Sequence, residues 1–264
     1  MRTSARKAIH RTTLRLTFLA GLASILLSAA PASAKVTKIA DCSYTIDSAG
    51  TYLISDDLSC DGEDGIIITV GNVQLNGGHH RITSTTGTGT GIVVQGPLAD
   101  VVIHNVLVEG FDTGIRVEDA SHVTVLGVAA TGNDLDGLAL INTSDVLIRT
   151  GAYDLNGADG IHVDEVSHDN VIHAVFARGN GDDGIEVEGD DNVLQANAAE
   201  ENGAIGIHLT SDATGNDLLA NFALDNEDLD MADYSPSPPC ANTWKSARFD
   251  TDNEGDGRKS GCIQ

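Results

Sequence analysis

The sequence predicts an all-β fold in which a single chain winds into a right-handed parallel β-helix of about seven turns. Three observations predict this fold. A glycine followed by an aliphatic residue recurs every 22 to 26 residues, and a column of asparagines keeps the same period. The apolar residues come in short runs of Val, Ile and Leu broken by Gly, Asn and Asp. Such runs are too short to sustain a helical period, so each repeat reads as about three short strands.

Residues 1–34 have the features of a secretory signal peptide. Five basic residues lie in the first fifteen, an apolar run extends from Leu14 to Leu27, and the segment ends in Ala32-Ser33-Ala34. This small-residue ending is typical of a cleavage site, and the apolar run is shorter than the roughly 20 residues that a membrane span needs. We therefore expect a secreted or periplasmic protein that begins at Lys35 and keeps no membrane span after cleavage.

The remaining chain is strongly acidic. All 39 Asp and Glu residues lie outside the leader, whereas five of the 15 Lys and Arg residues lie within it, so the net charge is near 10 − 39 = −29. Such a surface repels nucleic acid and anionic lipid and attracts cations or basic partners. We expect no nucleic-acid partner and a monomer. Solubility in a salty or crowded exterior would explain the acidity equally well.

The repeated glycine marks the start of the first strand in each turn. After a first interval of 26 residues, the spacings are 23, 23, 23, 24 and 22. The repeats therefore cover residues 65–232, and their strands are expected to stack about 4.8 Å apart. The repeated pairs are Gly65-Ile66, Gly91-Ile92, Gly114-Ile115, Gly137-Leu138, Gly160-Ile161, Gly184-Ile185 and Gly206-Ile207.

Two aliphatic columns and one asparagine column give each turn its predicted shape. The residue directly after the glycine and the residue two positions later are predicted to point inward, and the residue between them outward. The asparagines read as a turn ladder in which each amide bonds backbone groups and the next asparagine. They are Asn133, Asn156, Asn180, Asn202 and Asn226.

A leucine-rich-repeat horseshoe is the competing fold, because its period of about 20 to 29 residues and its recurrent Asn overlap with these values. That motif requires Leu at several fixed positions and a helical return. Here the return segments are rich in Gly, Asp and Asn, and the inward positions favour Ile and Val. The pattern therefore favours the β-helix.

The two ends depart from the repeat and are predicted to be caps, residues 35–64 and 233–264, since an uncapped solenoid exposes strand edges. Four cysteines in an exported chain suggest two disulfides, and the sequence alone leaves three connectivities. In a seven-turn stack the caps are about 30 Å apart, whereas bridged Cα atoms lie within about 7 Å. The stack therefore allows only Cys42–Cys60 and Cys240–Cys262.

The capped ends together with the Gly-Ile turns resemble secreted right-handed parallel β-helix repeat proteins of the pectin-lyase-like superfamily, over roughly residues 40–264. The superfamily includes polysaccharide lyases, polygalacturonases, uronate epimerases and accessory proteins. The resemblance therefore implies a protein that acts on or binds extracellular polysaccharide or a cell-surface glycan. A non-catalytic envelope scaffold is the alternative, because fold does not transfer function.

Charged side chains concentrate on one outward strip of the predicted solenoid. On successive turns the outward residues between the inward columns are Arg116, Ala139, His162, Glu186 and His208. The neighbouring polar positions on this strip are Asp159, Asp164, Asp182, Asp183 and Glu188. We therefore expect carboxylates and imidazoles from consecutive turns to meet on one face.

Two strings on this face are similar to the paired aspartate motifs of polygalacturonases, Asp159-Gly160-Ile161-His162 and Gly181-Asp182-Asp183-Gly184. The resemblance implies that these aspartates supply a general acid and a water-activating base, about 6.5 to 9.5 Å apart for inverting hydrolysis. The sequence departs from that family after Asp183. It reads Gly203-Ala204-Ile205 where the family has Gly-His-Gly, and no Arg-Ile-Lys follows to hold a uronate carboxylate.

The candidate catalytic residues are therefore Asp159, His162, Asp182 and Asp183. The imidazole of His162 could transfer protons in a uronate epimerase or lyase, because the unperturbed pKa of histidine lies near neutrality. The candidate substrate-binding residues are Arg116, Asp164, Glu186, Glu188 and His208. Aspartate before glycine is also a common turn residue, and the acidic groups could instead bind Ca²⁺, which prefers oxygen ligands.

Overall fold

The computed structural model describes residues 35–235, 240–253 and 262–263. The predicted signal peptide lies outside the described residues. Within them the chain forms strands and turns and no α-helix. It follows that no helix in these ranges is long and apolar enough to cross a bilayer.

The strands stack in three parallel columns, as the repeat predicts. The first column carries the outward strip of charged residues and contains nine strands. In order these are Tyr44–Ile46, Ile66–Ile68, the first part of Thr90–His104, the first part of Thr113–Leu126, Leu138–Ile141, Ile161–Val163, Ile185–Val187, Ile205–Leu209 and Leu229–Asp233.

The second column continues the same sheet around one corner. It consists of Val36–Ile39, Gly50–Ile54, Val73–Asn76, the last parts of Thr90–His104 and Thr113–Leu126, Leu147–Arg149, Val171–His173, Val193–Gln195, Asp217–Leu219 and Thr243–Lys245.

The third column closes each turn. It is made of Leu58–Cys60, Arg81–Ser84, Leu107–Glu109, Ala129–Thr131, Phe176–Arg178, Ala198–Glu200 and Phe222–Leu224. Between its fourth and fifth strands the column continues through single bridges at Ala152.

The solenoid has about nine turns, so the prediction of seven was too low. Tyr44–Ile46 pairs with Ile66–Ile68 at one end, and Leu229–Asp233 pairs with Ile205–Leu209 at the other. The count was low because it followed the glycine column. Ser43, with φ of 55°, and Asp230 take the places of the glycine in these two turns.

The predicted inward columns form the core. Ile161 and Ile185 lie in register on adjacent strands, and every member of both aliphatic columns from residue 92 to residue 209 is fully buried. The glycine before each inward strand lies against the backbone of the next turn. A Cβ at Gly160, for example, would lie 2.5 Å from the carbonyl oxygen of Gly184, so this position requires glycine. The repeat is therefore set by the contact between neighbouring turns.

The predicted asparagine ladder is confirmed. The Oδ1 atom of Asn180 accepts hydrogen bonds from the backbone N and the Nδ2 of Asn156, both at 3.0 Å. Two further asparagine ladders, which the sequence did not predict, lie at other corners of the solenoid, between its strand columns. Their members are Asn170, Asn192, Asn216 and Asn242 in one ladder and Asn197 and Asn221 in the other.

Both predicted disulfides are present. Cys42 bonds to Cys60 and Cys240 bonds to Cys262, each with Cα atoms 5.5 Å apart. Each bridge therefore closes a local loop at one end of the stack.

Candidate functional site

The outward strip on the first strand column is formed as the sequence predicts. The parallel register places His162 beside Glu186, and Glu186 beside His208, on three consecutive turns. Ala139 precedes this set and Ala232 follows it. Because in-register strands stack about 4.8 Å apart, residues more than 20 positions apart in the chain become neighbours.

A ladder of aspartates runs beside this strip. The Oδ1 atoms of Asp136, Asp159 and Asp183 accept backbone N–H groups from the following turn, at 3.2, 2.9 and 2.7 Å. Asp159 and Asp183 are only 6% and 4% exposed. One oxygen of each buried aspartate therefore holds the turn, as the turn interpretation predicted, and the other oxygen remains for the site.

The two histidines lie on either side of Glu186. His162 Nδ1 lies 3.0 Å from Glu186 Oε2 and 3.5 Å from Asp159 Oδ2. His208 Nδ1 lies 2.6 Å from Asp183 Oδ2 and 3.3 Å from Glu186 Oε1. Each imidazole thus contacts one buried aspartate and one oxygen of the shared glutamate. We refer to these five residues as the His–Glu–His cluster.

Burial and close pairing shift the pKa values within this cluster. Burial raises the pKa of Asp159 to about 6. Hydrogen bonds to Asp159 and Glu186 raise the pKa of His162 to about 10, and the same contact with His162 lowers the pKa of Glu186. Burial is the largest single influence on the pKa of His208 and lowers it, but the hydrogen bond to Asp183 and the charges of Asp183, Glu186 and Asp159 together outweigh burial and raise this pKa. Near neutral pH the imidazole of His162 is therefore protonated.

Two further predicted site residues, Asp182 and Asp164, are not members of the cluster. Asp182 is exposed, and one of its oxygens lies within 4.8 Å of oxygens of Asp159 and Asp183. Asp164 accepts hydrogen bonds from the backbone N of Asn142 and from Ser167 Oγ, so its carboxylate holds a turn.

Two more of the predicted substrate-binding residues, Arg116 and Glu188, also lie outside the cluster. Arg116 forms an ion pair with Glu118 at 2.7 Å and is separated from His162 by the turn that carries Ala139. Glu188 is half-buried, and burial raises its pKa.

Two residues near the cluster were absent from the predicted site. Asp136 extends the aspartate ladder by one turn, and its position before a repeated glycine could have identified it. The ring of Tyr234 meets that of His208 edge-on, with centroids 5.4 Å apart. The repeat pattern could not identify Tyr234, because this residue follows the ninth strand and lies in the predicted C-terminal cap.

The cluster offers ligand atoms for metal ions. Three sets of described residues place one ligand atom from each member within 4.8 Å of the others. Two sets combine an imidazole with two carboxylates, and the third contains carboxylates only. The sets are Asp159 with His162 and Glu186, Asp183 with Glu186 and His208, and Asp159 with Asp182 and Asp183.

Comparison with known families extends these observations. The sequence matches the family described as periplasmic copper-binding protein (NosD) over residues 41–257. The chain belongs to the NosD family. Because this family is periplasmic, the protein lies outside the cytoplasm, as the predicted signal peptide indicates. No curated protein matches the sequence of this NosD-family chain.

Solved structures similar to this NosD-family protein have the same fold. The periplasmic alginate epimerase AlgG is 15% identical with a TM-score of 0.53, covering 75% of this chain and 48% of AlgG. The A-module of the Azotobacter vinelandii mannuronan C-5 epimerase AlgE4 is 14% identical with a TM-score of 0.59, covering 81% of this chain and 77% of the module. The NosD-family chain thus spans about half the length of AlgG.

Pectate lyase Pel9A is a third similar structure. It is 14% identical with a TM-score of 0.61, and the match covers 84% of this chain and 68% of the lyase. At such identities these likenesses establish the β-helix fold. They agree with the predicted right-handed parallel β-helix.

Proposed function

We propose that this NosD-family protein binds a divalent transition metal ion in the periplasm, Cu²⁺ foremost, at the His–Glu–His cluster. The convergence of two imidazole nitrogens on the two oxygens of Glu186 carries the proposal. Imidazole and carboxylate are ligands that suit divalent copper and its neighbours in the first transition row. The copper-binding description of the family supports the same choice.

The available ligands favour Cu²⁺ over Cu⁺. Monovalent copper prefers thiolate and thioether sulfur. All four cysteines are in disulfides. Of the two methionines in the sequence, Met1 belongs to the predicted signal peptide and Met231 is fully buried in the core. The cluster supplies only nitrogen and oxygen, so we expect the oxidised ion to bind.

The charge around the cluster favours a cation. Asp159, Asp183 and Glu186 contact the two imidazoles, and Asp136 accepts a hydrogen bond from the backbone N of Asp159. The net charge of the chain without its predicted signal peptide is near 10 − 39 = −29. Metal binding displaces the imidazole protons and leaves the carboxylates to balance the ion. Calcium fits the two imidazole-containing sets poorly, because it takes oxygen ligands. The set of three aspartates is the remaining candidate for Ca²⁺.

The test is a Cu²⁺ titration of the mature protein against a competing chelator at neutral pH. The double variant His162→Ala/His208→Ala is expected to lose Cu²⁺ affinity by about 100-fold or more, because both imidazole-containing sets lose their nitrogen ligand. His168→Ala is the matched control, since His168 also lies beside a carboxylate, Asp169 at 2.9 Å, but is exposed. Equal affinity for all three proteins would rule out this cluster as the copper site.

A second candidate function is action on a polysaccharide, and the buried carboxyl group of Asp159 favours it. A pKa of about 6 lets this group act as acid or base near neutral pH. The oxygens of Asp159, Asp182 and Asp183 that lie within 4.8 Å of one another are closer than the 6.5 to 9.5 Å of inverting hydrolases. This spacing argues against inverting hydrolysis, and a carboxyl group that titrates near neutral pH suits the proton transfer of a lyase or epimerase. The alginate epimerases and the pectate lyase of the same fold support this class.

The second function is tested by incubating the mature protein with alginate, pectate and neutral glucans. Unsaturated products, reducing ends and the C-5 configuration of uronate residues are measured. Activity should fall by orders of magnitude in Asp159→Asn, Asp182→Asn and Asp183→Asn with little change in melting temperature. Full turnover in all three variants would refute the assignment. Copper binding without turnover on any polysaccharide would favour a binding protein or envelope scaffold.

A further inference from the structure

We infer that the His–Glu–His cluster holds two metal ions bridged by the carboxylate of Glu186. This inference rests on the proposed metal-binding function and adds the number of ions and the role of each residue. One ion would lie between Asp159, His162 and Glu186 Oε2, and the other between Asp183, His208 and Glu186 Oε1.

The arrangement of the imidazoles points to two ions. Among the described residues, each set of mutually close nitrogen and oxygen ligands contains only one of the two histidines. Ligand atoms of a single ion at about 2.1 Å from each are at most about 4.2 Å apart. The ligand atoms of each set lie within 4.8 Å of one another, so small side-chain movements would bring them within about 4.2 Å. No set includes both imidazoles. One ion therefore suits either histidine, and two ions suit both.

Glu186 is placed to join the two centres. Its Oε2 lies 3.0 Å from His162 Nδ1, and its Oε1 lies 3.3 Å from His208 Nδ1. A carboxylate that gives one oxygen to each of two ions is suited to the ion separation of about 3.5 to 4 Å found in two-metal sites. Its position on the middle of three turns makes it the natural bridge.

The buried aspartates complete each centre. Asp159 Oδ1 and Asp183 Oδ1 accept backbone N–H groups of the next turn, and this holds each carboxylate with its Oδ2 toward an imidazole. Ligands held in this way by neighbouring hydrogen bonds keep their orientation when a metal binds. Each ion would thus have three protein ligands and open positions for water.

Charge balance also favours two ions. Five carboxylates lie in or beside the cluster, those of Asp136, Asp159, Asp182, Asp183 and Glu186. With both imidazoles as neutral ligands, a single divalent ion would leave about three of these five negative charges uncompensated. Two divalent ions would leave about one, in a site where two of the carboxylates are almost fully buried.

The experiment is Cu²⁺ loading of the mature protein in excess Ca²⁺, which occupies weak surface carboxylates, followed by desalting and elemental analysis. The wild-type chain should retain two copper ions, and His162→Ala and His208→Ala should each retain one. His168→Ala is the control and should retain two. Circular dichroism and melting temperature establish that each variant is folded.

Electron paramagnetic resonance provides an independent measurement. At two equivalents the wild-type spectrum should lose intensity or broaden because the two Cu²⁺ spins are coupled, whereas the single-histidine variants should give uncoupled spectra. Glu186→Gln should weaken this coupling. One retained ion with an uncoupled spectrum, lost in both histidine variants, would overturn the two-ion inference and keep the proposed function. Absence of any retained copper would overturn both.

Discussion

At the scale of single residues, the site depends on the two different partners of the Asp183 carboxylate oxygens. Asp183 Oδ1 accepts a hydrogen bond from the backbone N of Ile205 at 2.7 Å, and its Oδ2 lies 2.6 Å from His208 Nδ1. The same side chain therefore holds a turn and contacts an imidazole. The turn interpretation of this aspartate and its proposed role in the site, which the sequence presents as alternatives, are therefore compatible in one side chain.

The raised pKa of His162 predicts how the metal-free protein responds to pH. Its value is about 10 in the folded chain and about 6.5 in an unfolded one. Folding is therefore stabilised by the protonated form, fully below about pH 6.5, and this contribution is lost as pH rises toward 10. We expect the melting temperature of the metal-free protein to fall between about pH 7 and pH 10.

The variant His162→Gln isolates this contribution, because it cannot be protonated. Its melting temperature should change much less over the same pH interval, as measured by circular dichroism in chelator-treated samples. A wild-type melting temperature that stays constant from pH 7 to pH 10 would contradict the protonated state assigned to His162.

The same protonation predicts that copper affinity rises with pH. His162 must release its proton before its Nδ1 can bind the ion. Apparent affinity should therefore increase about tenfold per pH unit for each displaced proton between about pH 6 and pH 8. Titration in buffers of different ionisation enthalpy measures the released protons, and His162→Ala should release fewer. An affinity independent of pH would show that the ion does not replace these protons.

At the scale of the strands, position on the inner or outer face decides the cost of a substitution. Ile161 is fully buried between Leu138 and Ile185 in the core column. Arg116 lies on the outer face in a partly exposed ion pair with Glu118. The alternation places these two kinds of residue one position apart along every strand of the first column.

Ile161→Ala should destabilise the protein by about 2 to 5 kcal/mol because it leaves a cavity between turns. Arg116→Ala should cost less than about 1 kcal/mol, since exposed ion pairs contribute little. Urea unfolding followed by circular dichroism measures both. Similar losses for the two variants would mean that the inward and outward columns are assigned incorrectly.

At the scale of the whole molecule, the two disulfides stand at different distances from the site. The cluster lies on the sixth to eighth strands of the first column, and Cys42–Cys60 closes a loop beside the first strand. Cys240–Cys262 closes the other end, which follows the ninth strand directly. In a solenoid each turn contacts mainly its neighbours, so damage at one end is local.

Removing the disulfides one at a time should therefore give different results. Cys42→Ser/Cys60→Ser should lower the melting temperature, at a cost of about 3 kcal/mol for a loop of this length, and leave copper affinity unchanged. Cys240→Ser/Cys262→Ser should lower both, because its cap supports the turn that carries Tyr234 beside His208. Chelator competition and thermal unfolding provide the two measurements. An equal loss of copper affinity in the two double variants would contradict the expectation that damage at one end of the solenoid stays local.

The sequence by itself determined the β-helix, the inward columns, one asparagine ladder and the disulfide pairing. These follow from periodic residue types, because stacked turns place equivalent positions over one another. Only the tertiary structure decided that nine turns stack, since Ser43 and Asp230 replace the glycine in the end turns. Only it decided that Glu186 lies between two histidines while Arg116 is held by Glu118. The direction of a carboxylate oxygen depends on which donors the adjacent turns bring within hydrogen-bond distance, and residue spacing along the chain does not contain that information.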